Sequence, residues 1–250
     1  MEIPELKVKP ENCEKHGEFE SRCFFKNTWS MCPKCSEEIK EKADIERIAA
    51  QKLENEHRWI QRLIFSGIPE RFHDRTLETF EARTPAMVKA LNFSVSFANG
   101  IDSGEQSGRS SVFLGRPGTG KTHLCCGIAI QIMRNGKRVN FTSVLRAIRR
   151  VKATWSDKRD ETEEEAIRAL VSPDLLVLDE VGIQFGSETE KMLLFDALNQ
   201  RYEFRRPTIF ISNLTLTEVK AYLGERIFDR LREDGGEVVT FDWESHRGKK

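Results

Sequence analysis

The sequence predicts an α/β fold, a parallel sheet with helices on both faces, and three observations predict it. From about residue 111, apolar runs of strand length alternate with helical patterns, as a doubly covered parallel sheet requires. The run GRPGTGKT at 115–122 has the P-loop spacing G-x-x-x-x-G-K-[ST], between an apolar strand and a helix. The run DLLVLDE at 174–180 is a buried strand that ends in two acids.

Taken in order, residues 1–36 hold four of the 6 cysteines and form a first segment. Residues 36–66 contain no proline or glycine and are rich in Glu, Lys, Ala and Leu, which predicts one long exposed helix. A narrow apolar stripe runs along it through Ile45, Ile48, Ala49, Leu53, Ile60, Leu63 and Ile64, with an interruption at Glu56. That stripe can pack on its own chain or dock onto a partner. Gly67-Ile68-Pro69 breaks the helix, so the expected organisation is a 1–36 cysteine segment, a 37–66 helical arm and a 67–250 nucleotide-binding domain. Within that domain helices are predicted at 84–99, 121–134, 143–155, 161–170, 187–204 and 217–232. Strands are predicted at 111–114, 138–142, 174–179, 207–212 and 237–241.

Composition limits the function classes. With 38% hydrophobic and 32% charged residues in 250, the chain can build a core under a highly charged surface. A formal net charge of +0 argues against strong nucleic-acid binding driven by bulk charge alone, and no basic–aromatic cluster marks a DNA groove. No apolar run reaches the roughly 20 residues of a membrane span, and the first residues lack a secretory signal, so a cytoplasmic location is expected. Reduced cysteines that cluster are then better read as metal ligands than as disulfides.

The P-loop carries specific chemistry. Gly115, Arg116, Pro117, Gly118, Thr119 and Gly120 form a loop whose backbone N–H groups can wrap phosphates, and the following helix from Lys121 through Thr122 and His123 adds its dipole. Lys121 is expected on the β- and γ-phosphates of ATP, and Thr122 on Mg²⁺. Asp179, at the end of the buried strand, is placed to hold Mg²⁺ through water, and Glu180 to polarise an attacking water. Asn213 ends the next strand, where it can orient that water or simply make an Asx turn. This element order suggests the P-loop ATPases with an extra strand between the two motifs.

Near the end, LGERIFDRLR at 223–232 puts Arg226 and Arg230 on one helical face, beside Glu225 and Asp229. They are either members of a salt-bridged surface helix or arginines aimed outside their own subunit. In ring-forming ATPases an arginine of one subunit stabilises charge on the γ-phosphate of its neighbour, a role suited to a permanently charged planar fork.

The motifs GRPGTGKT, LDEVG, SN, LGERIFDRLR and the closing W-x-S-x-R together resemble the DnaC-type helicase loaders of the AAA+ superfamily, and the related IstB transposition ATPases, from about Phe65 to Arg247. The resemblance implies an AAA+ (ASCE) core with an abbreviated lid, in keeping with the few residues after Asn213. It makes Asn213 a first sensor, Arg226 and Arg230 an inter-subunit pair and Arg247 a second sensor. It also implies ATP-dependent assembly into oligomers or spirals, binding of single-stranded DNA, and action on a hexameric replicative helicase, with turnover as a switch. The alternative it leaves is a transposition regulator that binds duplex DNA and activates a transposase.

In CEKHGEFESRCFFKNTWSMCPKC at 13–35, Cys13 and His16 form a C-x-x-H pair, and Cys32 and Cys35 a C-x-x-C pair, which suits a tetrahedral Cys₃His Zn²⁺ site. Cys23 is a spare. A segment this short has little core, so a metal would supply its folding energy. The zinc-bearing N-terminus resembles the loaders of phages and prophages. Cys125 and Cys126, in the helix after the P-loop, read as small core residues.

Overall fold

The computed structural model describes residues 7–25, 28–104, 108–156, 160–182, 188–233 and 235–246. The chain divides into two units, residues 1–60 and 61–250. Among the described residues no helix is long and apolar enough to cross a membrane.

The first unit contains a three-stranded antiparallel sheet in the order β1-β2-β3, formed by β1 (Val8–Cys13), β2 (Gly17–Phe25) and β3 (Thr28–Trp29). The sequence predicts no strand in the cysteine segment. The strands escape a periodicity search because VKPENC and GEFESRCFF carry few apolar residues at alternate positions. Pro10 is tolerated because β1 is an edge strand. Helix α1 (Pro33–Ser66) begins three residues earlier than expected, with proline at its first position. The start therefore falls between Cys32 and Cys35 and puts Cys35 in the first turn of the helix. The apolar stripe faces solvent over the part of α1 in this unit: Ile45, Ile48 and Leu53 are each more than 60% exposed.

The second unit opens with the last turn of α1, where Leu63 and Ser66 are buried, followed by a short 3₁₀ turn at Glu70–Phe72. Helix α2 (Pro85–Ser103) is capped by Thr84, whose hydroxyl accepts from the Met87 N–H at 3.3 Å. Five parallel strands follow in the order β5-β6-β7-β4-β8. They are β4 (Ser111–Gly115), β5 (Val139–Ser143), β6 (Leu175–Asp179), β7 (Thr208–Ser212) and β8 (Glu237–Phe241). The strand carrying Asp179 is thus separated from the P-loop strand by the strand that ends beside Asn213, the predicted arrangement. The connecting helices are α3 (Lys121–Arg134), α4 (Val144–Ala153), α5 (Glu163–Val171), α6 (Glu188–Glu203), α7 (Leu216–Leu223) and α8 (Glu225–Glu233).

Alternate strand residues serve the two faces. Val112, Leu114, Leu176, Leu178 and Phe210 pack into one cluster with residues of α4–α8, among them Ala147, Leu198, Val219 and Phe228. On the other face, Phe113 stacks with Phe241 at 5.3 Å and meets Phe93 of α2 at 6.1 Å. Each large side chain so buried contributes about 1.5–3 kcal/mol. Cys125 and Cys126 are fully buried in α3, and burial pushes both thiols up, so they are core residues and not chemistry.

Two departures bear on the site. The single helix expected at 217–232 is broken into α7 and α8 at Gly224 (φ 80°, ψ 151°), a conformation nearly confined to glycine. Arg201, which falls inside the helix predicted at 187–204, is 1% exposed. It donates to the carbonyls of Leu170, Val171, Pro173 and Pro207 and to Thr208 Oγ1, all within 3.0 Å. No carboxylate neutralises it among these bonds, and burial lowers its pKa to about 9. It ties the end of α5 to the starts of β6 and β7.

Candidate functional site

The P-loop leaves β4 at Gly115 and enters α3 at Lys121. Gly120 has φ 96°, and a Cβ there would meet Phe80 Cε2 at 2.8 Å, so only glycine fits the turn. The loop is braced from several sides. Thr119 Oγ1 donates to Arg116 O at 2.8 Å. The Trp243 indole N–H donates to Thr119 O at 2.8 Å, and the His246 N–H to Gly118 O at 2.9 Å. The segment after β8 therefore lies against the P-loop backbone. Arg247, the next residue, lies outside the described residues.

Lys121, Thr122, Asp179, Glu180 and Asn213 line one cleft, together with Pro117, Gly118, Gly120 and His123. Lys121 Nζ donates to Gly115 O at 2.6 Å and to Arg116 O at 2.9 Å. Thr122 Oγ1 donates to Asp179 Oδ2 at 3.4 Å, which puts two hard oxygens together as a divalent cation of Mg²⁺ type needs. Burial raises the Asp179 carboxyl above its ordinary range, and the Glu180 N–H, 2.7 Å from Oδ1, opposes the rise. Burial likewise lowers the imidazole of His123, whose Nε2 lies 3.0 Å from Thr76 O and 3.2 Å from Thr79 Oγ1. This pocket suits a polyphosphate: one buried lysine, backbone N–H groups at a helix start and two acids at the tip of β6.

Sequence reasoning missed Arg71 and Phe72, which line the same cleft from the 3₁₀ turn. No motif flags them, because they reach the P-loop only through the folding of the 67–80 segment. The two arginines of α8 are not in this cleft. Arg226 is exposed, its guanidinium 5.7 Å from the Phe195 ring centre, and Arg230 is half-buried, 4.7 Å over the Tyr202 ring. Neither forms an ion pair with Glu225 or Asp229 among the described residues. One Arg230 nitrogen, Nη1, is buried with no hydrogen-bond partner among the described residues.

In the first unit, Cys13 ends β1 and His16 lies on the β1–β2 turn, and Cys32 and Cys35 stand at the start of α1. Their donor atoms all lie within 4.8 Å of one another. Cys13 Sγ and Cys35 Sγ are 3.5 Å apart. His16 Nδ1 is 3.7, 3.6 and 3.3 Å from the sulfurs of Cys13, Cys32 and Cys35. Tetrahedral zinc with bonds of about 2.3 Å to sulfur and 2.0–2.1 Å to nitrogen implies edges of about 3.8 and 3.6 Å. The set fits. Backbone N–H groups of Lys15 and His16 bond Cys13 and lower its thiol to about 6. Sharing with Cys13 raises Cys35 to about 11. Glu38, which sequence reasoning missed, accepts from His16 Nε2 at 3.1 Å and also pairs with Lys15. This turns Nδ1 toward the cluster. Its position, three residues after Cys35 on one helix, was the available signal. Cys23 sits in β2 beside Trp29, outside the set.

The profile of a family described as "IstB-like ATP binding protein" matches residues 69–250. The chain is 31% identical over 238 residues to the replicative helicase loader DnaC of Buchnera aphidicola (subsp. Acyrthosiphon pisum), covering 90% of this chain and 94% of that one. It is 31% identical over 204 residues to the replicative helicase loader DnaC of Escherichia coli K12, covering 81% and 82%. A crystal structure of the DnaC helicase loader superposes with a TM-score of 0.61 at 23% identity, over 69% of this chain and 99% of that one. AMPPCP-bound DnaA from Aquifex aeolicus superposes at 0.58 and 22% identity, over 71% and 51%. At these identities the structural likenesses establish the AAA+ fold.

Proposed function

We propose a function from one premise: this chain belongs to the IstB-like ATP-binding family, in its DnaC-type AAA+ branch. It loads a hexameric replicative DNA helicase onto single-stranded DNA, using ATP as an assembly switch. The observation that carries this reading is the reach of the similarity. The match to a relative named a replicative helicase loader covers 90% of this chain, whereas the IstB-like profile begins at residue 69.

The make-up of the cleft supports the following role for each residue. Backbone N–H groups of Gly118 and Gly120 and the Lys121 ammonium bind the phosphates of ATP. Thr122 and Asp179 are the residues to hold Mg²⁺, which when bound neutralises phosphate charge. Glu180 takes the proton of a water whose oxygen forms the new bond to the γ-phosphorus. The bond from that phosphorus to the β–γ bridging oxygen breaks, and ADP and phosphate leave. Asn213, at the tip of β7 between the Asp179 and P-loop strands, orients that water. Arg226 and Arg230, which do not line their own chain's cleft, act on the nucleotide of a neighbouring subunit, and Arg247 is a second sensor. In the N-terminal unit, zinc held by Cys13, His16, Cys32 and Cys35 fixes the start of α1. The exposed stripe of Ile45, Ile48 and Leu53 contacts the helicase.

The test is capture of the intact chain by a hexameric replicative helicase from the same host, with ATP. Binding is expected, and an Ile45→Asp, Ile48→Asp chain should lose it while retaining ATP binding. Failure to bind any such helicase, with ATP-dependent filaments on duplex DNA instead, moves the function to transposase regulation. That second reading is favoured by the description of the family profile itself.

A further inference from the structure

Glu180 has an unusual backbone. Its φ is +60°, and among the described residues only Arg205 shares a positive φ without being glycine. Such a conformation is strained for an L-residue and persists only where its surroundings dictate it. The regular β6–β7 ladder ends at Leu178 and Phe210, two residues before Glu180. Three bonds beyond that point hold the turn. Asp179 Oδ1 accepts from the Glu180 N–H at 2.7 Å. Ile211 O accepts from the Val181 N–H at 3.0 Å. The hydroxyl of Ser212 donates to Val181 O at 2.6 Å.

Ser212 does more than close that turn. Its oxygen also accepts from the Leu214 N–H at 3.1 Å, so one hydroxyl brackets Asn213 and ties the strand tip to the segment just past Glu180. Ser212 is 1% exposed, and no solvent competes for these bonds. The two residues assigned to the attacking water therefore share one support. We infer that Ser212 is a positioning residue for ATP hydrolysis, one that fixes Glu180 and Asn213 relative to each other without touching nucleotide. This rests on the assignment of Glu180 as the base.

The experiment compares single-turnover ATP hydrolysis and fluorescent-nucleotide affinity for the parent, Ser212→Ala, Glu180→Gln and the double variant, all as intact chains. Ser212→Ala should bind nucleotide within twofold of the parent and hydrolyse it about tenfold more slowly, the effect of one buried hydrogen bond. In the Glu180→Gln background the same change should leave the residual rate within twofold. Ser212→Cys, which keeps the volume and weakens the donor, should fall between, and provides the measurement if Ser212→Ala does not fold. A parental rate in Ser212→Ala, or an equal loss in both backgrounds, overturns the inference while leaving Glu180 as the base. A Glu180→Gln chain that hydrolyses at the parental rate overturns both.

Discussion

Removal of zinc should unfold the β1–β2–β3 sheet and leave the ATPase domain intact. Among the described residues of the N-terminal unit only Ser21 and Cys32 are buried, so one thiol is the entire apolar interior that they provide. A fully buried aliphatic side chain contributes about 1.5–3 kcal/mol, whereas ordering each backbone residue costs about 1–2 kcal/mol. A sheet of this size cannot close that gap with one cysteine. Structural zinc binding, about 10–16 kcal/mol at neutral pH, is the largest favourable contribution open to this unit. The assay is hydrogen exchange followed by proteolysis and mass spectrometry, on chelator-treated protein and on Cys35→Ser. Amides of β1 and β2 should exchange orders of magnitude faster after chelation, with residues 111–241 unchanged, and added zinc should restore protection to the parent only. Retained protection of β1 and β2 in metal-free protein refutes the reasoning, because the sheet would then need a source of stability that its side chains do not offer.

Other outcomes follow from the same geometry. Glu38→Gln should weaken zinc affinity about tenfold in a competition with a chromogenic chelator, while a zinc stoichiometry of one persists at saturating metal. Arg230→Ala and Arg226→Ala should leave nucleotide binding by the isolated chain near parental. Each should lower assembly-dependent hydrolysis by about 10³-fold or more, and mixing with a Lys121→Ala chain should restore part of it if the arginines act between subunits. Arg201→Met should destabilise the ATPase domain by about 3–5 kcal/mol in urea unfolding, because four carbonyls lose a donor in the interior. A change below about 1 kcal/mol would mean that those carbonyls find other partners.

The ATPase half was legible where its information is local. The P-loop, the strand ending in Asp179 and Glu180, and the extra strand between those two motifs all follow from short motifs and from apolar runs of fixed period. What escaped is tertiary. Phe72 reaches the cleft, Arg201 finds four carbonyls from three elements, and Ser212 meets Val181 only once β6 and β7 are adjacent. The N-terminal sheet escaped for a different reason: its strands are ordered around a cluster of sulfurs and so lack the alternating apolar pattern that marks ordinary strands. The cysteine and histidine spacing carried that information instead. Gly224 illustrates an intermediate case. The LGER stretch has helical composition on both sides, and only the backbone conformation reveals that Arg226 and Arg230 stand on a separate short helix.

The bonds from Lys121 to Gly115 O and Arg116 O carry a consequence for experimental controls. A lysine already engaged with two carbonyls does not gain a partner when phosphate arrives; it exchanges partners. Nucleotide affinity then reports a difference between two sets of contacts, and the heat of binding should be smaller than a count of phosphate bonds suggests. Substituting Lys121, the usual way to make a nucleotide-blind control, also releases the two carbonyls that shape the loop. A comparison against such a variant measures an altered resting loop together with the loss of ATP, and a Thr122 or Asp179 variant beside it is needed to separate the two.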